Sequence, residues 1–339
     1  MTGSAWPLGG ALVALALAGL AIVLVGSPLT RAADTLAQRH SIGRSLAGGV
    51  LLGAVTSLSG IATIVTGGLS GQAEFTLANP IGGVAVQTVW ITVADLVYRR
   101  TNLEHAAASL ENLLQALVLL ALLAVPVVAY ATPTLELGWI HPATLAIPVL
   151  YAYGLVLVRR TEGHPMWRAV RTDDTGGGED TPGSPAPTGT LWVRLGALAV
   201  VVTVAGWVVG RAGVSVVERT AVPSGVVGFT LTTAITSLPE LVTLVAAVRM
   251  GALTLGVGAV IGGNLFDTLQ ITIADAAYLE GSVYSAAGPE ALVLLGGTML
   301  MTAVLAAGLL VRERRGVGFE GLLLPVLYLG TVALVWAAS

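Results

Sequence analysis

Ten apolar runs, each long enough to cross a bilayer, constrain this 339-residue chain more than any other feature. They are Leu8–Leu29, Leu46–Leu69, Phe75–Tyr98, Leu110–Tyr130, Leu137–Val158, Leu191–Val209, Val226–Val248, Leu253–Tyr278, Leu292–Val311 and Leu322–Ala338. A membrane helix needs about 20 apolar residues to span the hydrocarbon core. In that core every backbone N–H and C=O must be satisfied without water, which repeated helices achieve within each segment. A soluble fold lacks the material: only 10% of the residues are charged, against roughly 25% in ordinary globular domains. The expected fold is therefore all-α, a polytopic membrane protein of ten transmembrane helices.

The first run is preceded by nothing basic and followed by Arg31, Arg39 and Arg44, the reverse of a signal peptide, so it reads as a retained helix. All sixteen basic residues are arginine. With the N-terminus outside, fourteen of them fall on the cytoplasmic side, and only Arg211 and Arg219 fall outside. That split satisfies the positive-inside rule and returns the C-terminus to the outside. Between the fifth and sixth runs, residues 161–189 carry Asp173, Asp174, Glu179 and Asp180 around a glycine run, then Pro182, Pro185 and Pro187. This composition reads as a flexible, acidic cytoplasmic linker.

Several classes of function drop out. Without cysteine there is no disulfide, zinc-thiolate or iron–sulfur chemistry, and the four histidines are scattered. A net charge of −3 with no basic domain argues against nucleic acid. No nucleophile–histidine pair, metalloprotease motif or cofactor fingerprint supports an intramembrane enzyme, and no bound cofactor is expected.

The sequence also repeats itself. Shifted by 180 positions and without gaps, residues 46–98 match residues 226–278 at eighteen of fifty-three positions. Thr56-Ser57-Leu58 falls on Thr236-Ser237-Leu238, and Ile81-Gly82-Gly83 on Ile261-Gly262-Gly263. An in-register match of this kind signals duplication. Five spans per half is an odd number, so the halves must be inverted, the architecture many secondary transporters use for alternating access. Residues 1–160 and 190–339 are the expected five-helix repeats. Arg211 and Arg219 then correspond to Arg31 and Arg39, and repeat ancestry accounts for them.

The chemistry concentrates at Thr236-Ser237-Leu238-Pro239-Glu240 in the seventh run. A carboxylate at mid-membrane is costly and by default functional. Pro239 is expected to break the helix there, so that freed carbonyls, two hydroxyls and Glu240 converge. Hard cations such as calcium and sodium take oxygen ligands of this kind. In the eighth run, Gly262-Gly263-Asn264-Leu265-Phe266-Asp267 places Asn264 and Asp267 three residues apart, on one face, with two glycines allowing close approach to Glu240.

With those residues in view, the chain resembles the cation/calcium exchanger superfamily, which includes the sodium/calcium exchangers. T-S-L-P-E followed by G-G-N-L-F-D looks like that family's second alpha-repeat, with Gly263 where a serine is usual. The resemblance covers essentially the whole chain. It implies ten helices in two inverted halves, a central site built from helices 2, 3, 7 and 8, and countertransport of calcium against sodium or protons in a prokaryotic plasma membrane. By position it implies cation ligands at Glu240, Asp267, Asn264, Thr236 and Ser237, joined from the first half by Thr56, Ser57 and Gln87.

The first half departs from the pattern. Ser59-Gly60 stands where proline and glutamate would, Val84 where the asparagine would, and Gln87 at the last position. Asn79-Pro80 adds a candidate helix break. A site with one proline-linked glutamate is expected to bind calcium more weakly, and Gly60→Glu to strengthen divalent binding. The leading reading is a cation antiporter whose partners are inorganic cations and lipid. Its rival is a degenerate member that binds a cation without transporting it. The matched stripes Thr88-Thr92-Asp95 and Thr268-Thr272-Asp275 read as interhelical hydrogen bonding or, alternatively, as ion paths.

Overall fold

A computed structural model describes residues 5–40, 51, 53–98, 102–163, 187–311 and 317–339. The described residues are helical, with no strand beyond one isolated bridge between Leu137 and Ile140. The helices are α1 (Leu8–Arg39), α2 in two pieces (Gly53–Thr56 and Leu58–Leu69), α3 (Ala73–Tyr98), α4 (Leu110–Ala131) and α5 (Ala146–Gly163). There follow α6 (Thr188–Arg219), α7 in two parts (Ser224–Thr236 and Leu238–Arg249), α8 (Leu253–Ala277), α9 (Glu290–Val311) and α10 (Gly318–Ala338). Among the described residues eight helices are long and apolar enough to cross a membrane, and the bent pair in α7 makes a ninth. Leu58–Leu69 is a shorter apolar helix. Most of the linker, residues 164–186, and the start of the second run lie outside the described residues.

Burial sorts these helices into a centre and a rim. The apolar windows of α3 and α8 are 67% and 61% buried, those of α1 and α10 only 28% and 22%. On α1 the exposed residues Leu12, Val13, Leu17, Leu20 and Leu24 form one stripe, while Ala11, Leu15, Ala18 and Ile22 on the other side are buried. An apolar surface of this extent is unstable in water and matches a lipid-facing belt. The centre is polar instead: Asn79, Gln87, Thr88, Asn264, Asp267 and Thr268 are all at most 4% exposed. The protein is an integral, multi-pass membrane protein whose core holds its polar side chains.

Contacts recur at the 180-residue interval. The two long rim helices, α1 and α6, run antiparallel: Arg39 Nη1 donates to Thr188 Oγ1 (3.0 Å), and its counterpart Arg219 Nη2 donates to the Ala5 carbonyl (3.0 Å). Arg219 thus does at one end of the pair what Arg39 does at the other. Gly26 of α1 packs on the Pro239 ring, where a Cβ would stand 2.8 Å from the proline Cβ; Gly206 of α6 packs on the Ser59 backbone. A side chain at either position would have to displace its neighbour. Gly71 and Gly251, also 180 apart, close the turns after α2 and α7 at φ +74° and +77°, a region glycine enters without strain.

Three expectations are corrected here. The fifth run begins as a turn with Gly138 at φ +74° and Pro142, so regular α-helix starts only at Ala146. Asn79-Pro80 does not break α3, which runs on through Pro80 from Ala73 to Tyr98. In α7 the break lies at Ser237 rather than at the proline, with Pro239 accommodated in the first turn of the following helix, where its missing N–H costs little.

Candidate cation site

The helix break is built twice, once without proline. The helices are interrupted at Ser57 (φ −79°, ψ −1°), which stays in the right-handed region, and at Ser237 (φ −94°, ψ 10°), which leaves it. Ser57 N–H donates to Gly53 O and Ser237 N–H to Thr233 O, both at 2.9 Å. Thr56 and Thr236 each turn the hydroxyl back onto the carbonyl three residues earlier, at 3.3 Å. The two parts of α7 meet at 48°, and a π-helical stretch, Val227–Thr232, precedes the break. Such π segments are unstable alone and occur mostly at functional sites.

The two breaks face α3 and α8 across one cavity of about 10 Å³, about the least that can hold a single water. Its walls include Thr56, Ser57 and Gly60 of α2, Gln87 of α3, Thr236, Ser237 and Glu240 of α7, and Asp267 of α8. The structure therefore brings together seven of the eight residues named from the sequence. Asn264 is not in the wall. It is fully buried, its Nδ2 donates to Thr88 Oγ1 (3.2 Å) and its Oδ1 has no partner. One helical turn separates it from Asp267, and α3 covers that turn.

The two carboxylates are held differently. Asp267 accepts from Ser57 Oγ (2.6 Å) and Gln87 Nε2 (2.7 Å), and Gln270 Nε2 donates to it as well. A carboxylate offers about four lone-pair positions, so three are already engaged. Gln87 and Asp267 are themselves repeat counterparts, 180 residues apart and bonded to each other. Gly83, whose absent Cβ would stand 3.1 Å from Asp267 Oδ2, leaves room for this contact. Glu240 shares a hydrogen bond with Thr56, and its Oε2 is sealed from solvent without a partner. Gln87 Oε1 is a second sealed oxygen lacking a donor. Unsatisfied oxygens lining a cavity are costly unless something electropositive fills it.

Gln270 also lines the cavity, a residue the sequence reading missed. The signal was present: it is a lone amide in an apolar stretch, three residues from Asp267 and so on the same helix face. A Cβ at Gly60 would stand 2.8 Å from Gln270 Oε1. The place of a first-half glutamate is held by the movable end of Gln270, so Gly60→Glu has to displace that carboxamide before it can add a ligand.

The matched aspartates have a visible structural role. Asp95 Oδ1 accepts the Leu103 N–H (2.9 Å), holding the one-turn helix Leu103–Ala107. Asp275 does the same for Val283 (2.8 Å) and the one-turn helix Val283–Ala286. It also accepts from Ser282 Oγ, His141 N–H and Thr144 Oγ1. Capping and interhelical bonding account for these residues without an ion path.

Comparison with known proteins agrees with this geometry. A family model described as sodium/calcium exchanger protein matches residues 10–160 and 189–337. No curated protein matches the chain in sequence. Among solved structures, the chain is similar to the H+/Ca2+ exchanger CAX at 14% identity and TM-score 0.68, covering 97% of this chain and 85% of that one. It is also similar to the sodium-calcium exchanger NCX_Mj (17% identity, TM-score 0.58, 96% and 99% covered) and to YfkE (16%, 0.61, 98% and 93%). At these identities the likeness shows a shared fold.

Proposed function

The chain belongs to the sodium/calcium exchanger protein family, and from that premise we propose that it is a secondary active antiporter exchanging calcium or a related cation against sodium or protons by alternating access. Relatives of this kind are transporters of inorganic cations rather than enzymes. The proposal includes ten spans in two inverted five-helix repeats, an external N- and C-terminus, a cytoplasmic linker and a prokaryotic plasma membrane.

The observation that carries the reading is the cavity between the breaks of α2 and α7, lined by Glu240, Asp267, four hydroxyls and Gln87, with Glu240 Oε2 and Gln87 Oε1 unpartnered. Glu240 is the main charged ligand. Asp267, fixed by three donors, supplies negative charge and one remaining lone pair. Thr56, Ser57, Thr236, Ser237 and Gln87 supply neutral oxygens, and Asn264 acts behind the wall by orienting Thr88 and α3. Protons and metal cations compete for the same carboxylate oxygens, so cation binding releases protons and weakens as pH falls. A cavity this small admits one bare ion.

The test is cation flux into proteoliposomes containing the purified protein, with calcium or sodium outside and an opposing sodium or proton gradient. Gradient-driven uptake that vanishes in Glu240→Gln is expected. Normal uptake by that variant would remove the site. Binding without flux in the wild type would make the chain a degenerate, non-transporting member.

A further inference from the structure

We propose that Gln270 is a specificity-determining residue: its carboxamide occupies the space that an acidic side chain at position 60 would need, and so biases the site against divalent cations. This rests on the cavity being the cation site. The argument begins with what the two halves put at the same place. Glu240 and Gly60 are repeat counterparts, so a symmetric site would have two carboxylates facing each other across the breaks. On the Gly60 side there is no side chain, and the void is filled from another helix: Gln270 Oε1 lies 2.8 Å from where a Gly60 Cβ would be. Gln270 is 4% exposed, lines the cavity and donates Nε2 to Asp267.

A carboxamide keeps an oxygen of nearly the same shape as a carboxylate and removes one unit of negative charge. Coulomb attraction scales with ion charge, so a divalent ion loses twice what a monovalent ion loses by that exchange. Gln270 acts a second time through Asp267. Together with Ser57 and Gln87 it engages three of the lone pairs on the carboxylate, and a divalent ion such as calcium wants six to eight oxygens. Both effects fall harder on the divalent ion. The repeat counterpart of Gln270 is Trp90, whose Nε1 is buried without a hydrogen-bond partner, so this amide has no equivalent in the first half. The device belongs to the second half alone and compensates, in space though not in charge, for the acid missing from the first.

The experiment measures Ca2+ and Na+ affinities of the purified full-length protein by titration calorimetry at one alkaline pH, with melting temperatures alongside. Gln270→Glu, nearly isosteric, should raise the ratio of Ca2+ to Na+ affinity at least tenfold. Gly60→Glu alone should give a smaller gain, because it must first displace the Gln270 carboxamide; Gly60→Glu with Gln270→Ala, which clears the space, should give the full one. An unchanged ratio in a folded Gln270→Glu would overturn the proposal, as would a gain in Gly60→Glu equal to that of the double variant. If Gln270→Glu fails to fold, the comparison of Gly60→Glu with the double variant decides alone. Glu240→Gln separates the levels: loss of all binding there with no effect at Gln270 sinks this inference only, whereas retained binding sinks the site itself.

Discussion

Thr56–Gly60 and Thr236–Glu240 share a backbone and differ in chemistry. Both segments break at the serine, and both route the serine N–H to the residue four positions back. One then presents Glu240 to the cavity; the other presents nothing and lets Gln270 in. Ser57 interrupts its helix without a proline and stays right-handed, whereas the 48° bend belongs to the proline-bearing segment. The backbone of the two segments is alike, while the side chains they offer differ. The same contrast appears at the membrane ends. Asp95 and Asp275 cap equivalent one-turn helices, yet Asp275 gathers four donors from two segments, and Asp95 takes the Leu103 N–H. One position past each capped residue stand Glu104 in the first half and Tyr284 in the second.

The largest expected contrast lies at the divergent pair. Glu240→Gln should reduce exchange in proteoliposomes by at least about 100-fold, the scale of removing a charged ligand worth several kcal/mol. Gly60→Ala meets only the movable end of Gln270 and should keep exchange within a few-fold of wild type. Equal losses at both positions would mean that the first half contributes a ligand after all.

At the caps, Asp275→Asn keeps one oxygen acceptor and strands two of four donors. At about 1.5–3 kcal/mol for each hydrogen bond to a charged group, it should cost about 3–6 kcal/mol of stability. Asp95→Asn can keep the bond to Leu103 by turning its carbonyl to that N–H and should cost no more than about 1 kcal/mol. Denaturation in detergent measures both. A stable Asp275→Asn with slowed exchange would instead revive the ion-path reading of that stripe.

The third contrast is in pH. Glu104 lies between spans, 1% exposed, and burial together with the nearby Glu320 carboxylate pushes it up to about 8. The folded chain then holds a proton that the unfolded chain releases above the ordinary glutamate value. Stability from this group is complete below about 4.5 and is lost as pH rises towards 8, by up to about 1.4 kcal/mol per pH unit. Melting temperature should fall across that window and Glu104→Gln should flatten the fall. A slope that survives the substitution would place its origin elsewhere.

The smallest contrast concerns the paired glycines. Gly206→Ala drives a methyl into the Ser59 backbone and Gly26→Ala drives one into the Pro239 ring. Overpacking of this kind typically costs about 1–3 kcal/mol, and the backbone contact, which cannot rotate away, should cost more. The reverse ranking would show that the α1 contact is the tighter one.

Much of this was legible in advance. The apolar runs located the long helices, because in lipid the length of a run is itself the structural requirement. The duplication and the T-S-L-P-E and G-G-N-L-F-D segments named seven of the cavity's residues. Asn264 escaped because i, i+3 spacing says that two residues share a helix face, whereas the cavity is narrower than that face. Gln270 escaped because the space it fills was left by Gly60, 210 positions away in the chain.

The sequence by itself determined that this chain lives in a membrane, that residues 46–98 match residues 226–278 and that only the second of these segments carries the proline-linked carboxylate. Each of these is a property of a single segment or of two segments compared. Tertiary structure alone decided that Gln87 bonds to its own repeat counterpart Asp267, and that an amide from α8 stands where α2 lacks an acid. Periodicity assigns each helix an inner face but not the face it meets. That choice rests on where helices approach closely, at Gly26 against Pro239 and Gly206 against Ser59, and close packing becomes definite only when the whole bundle is assembled.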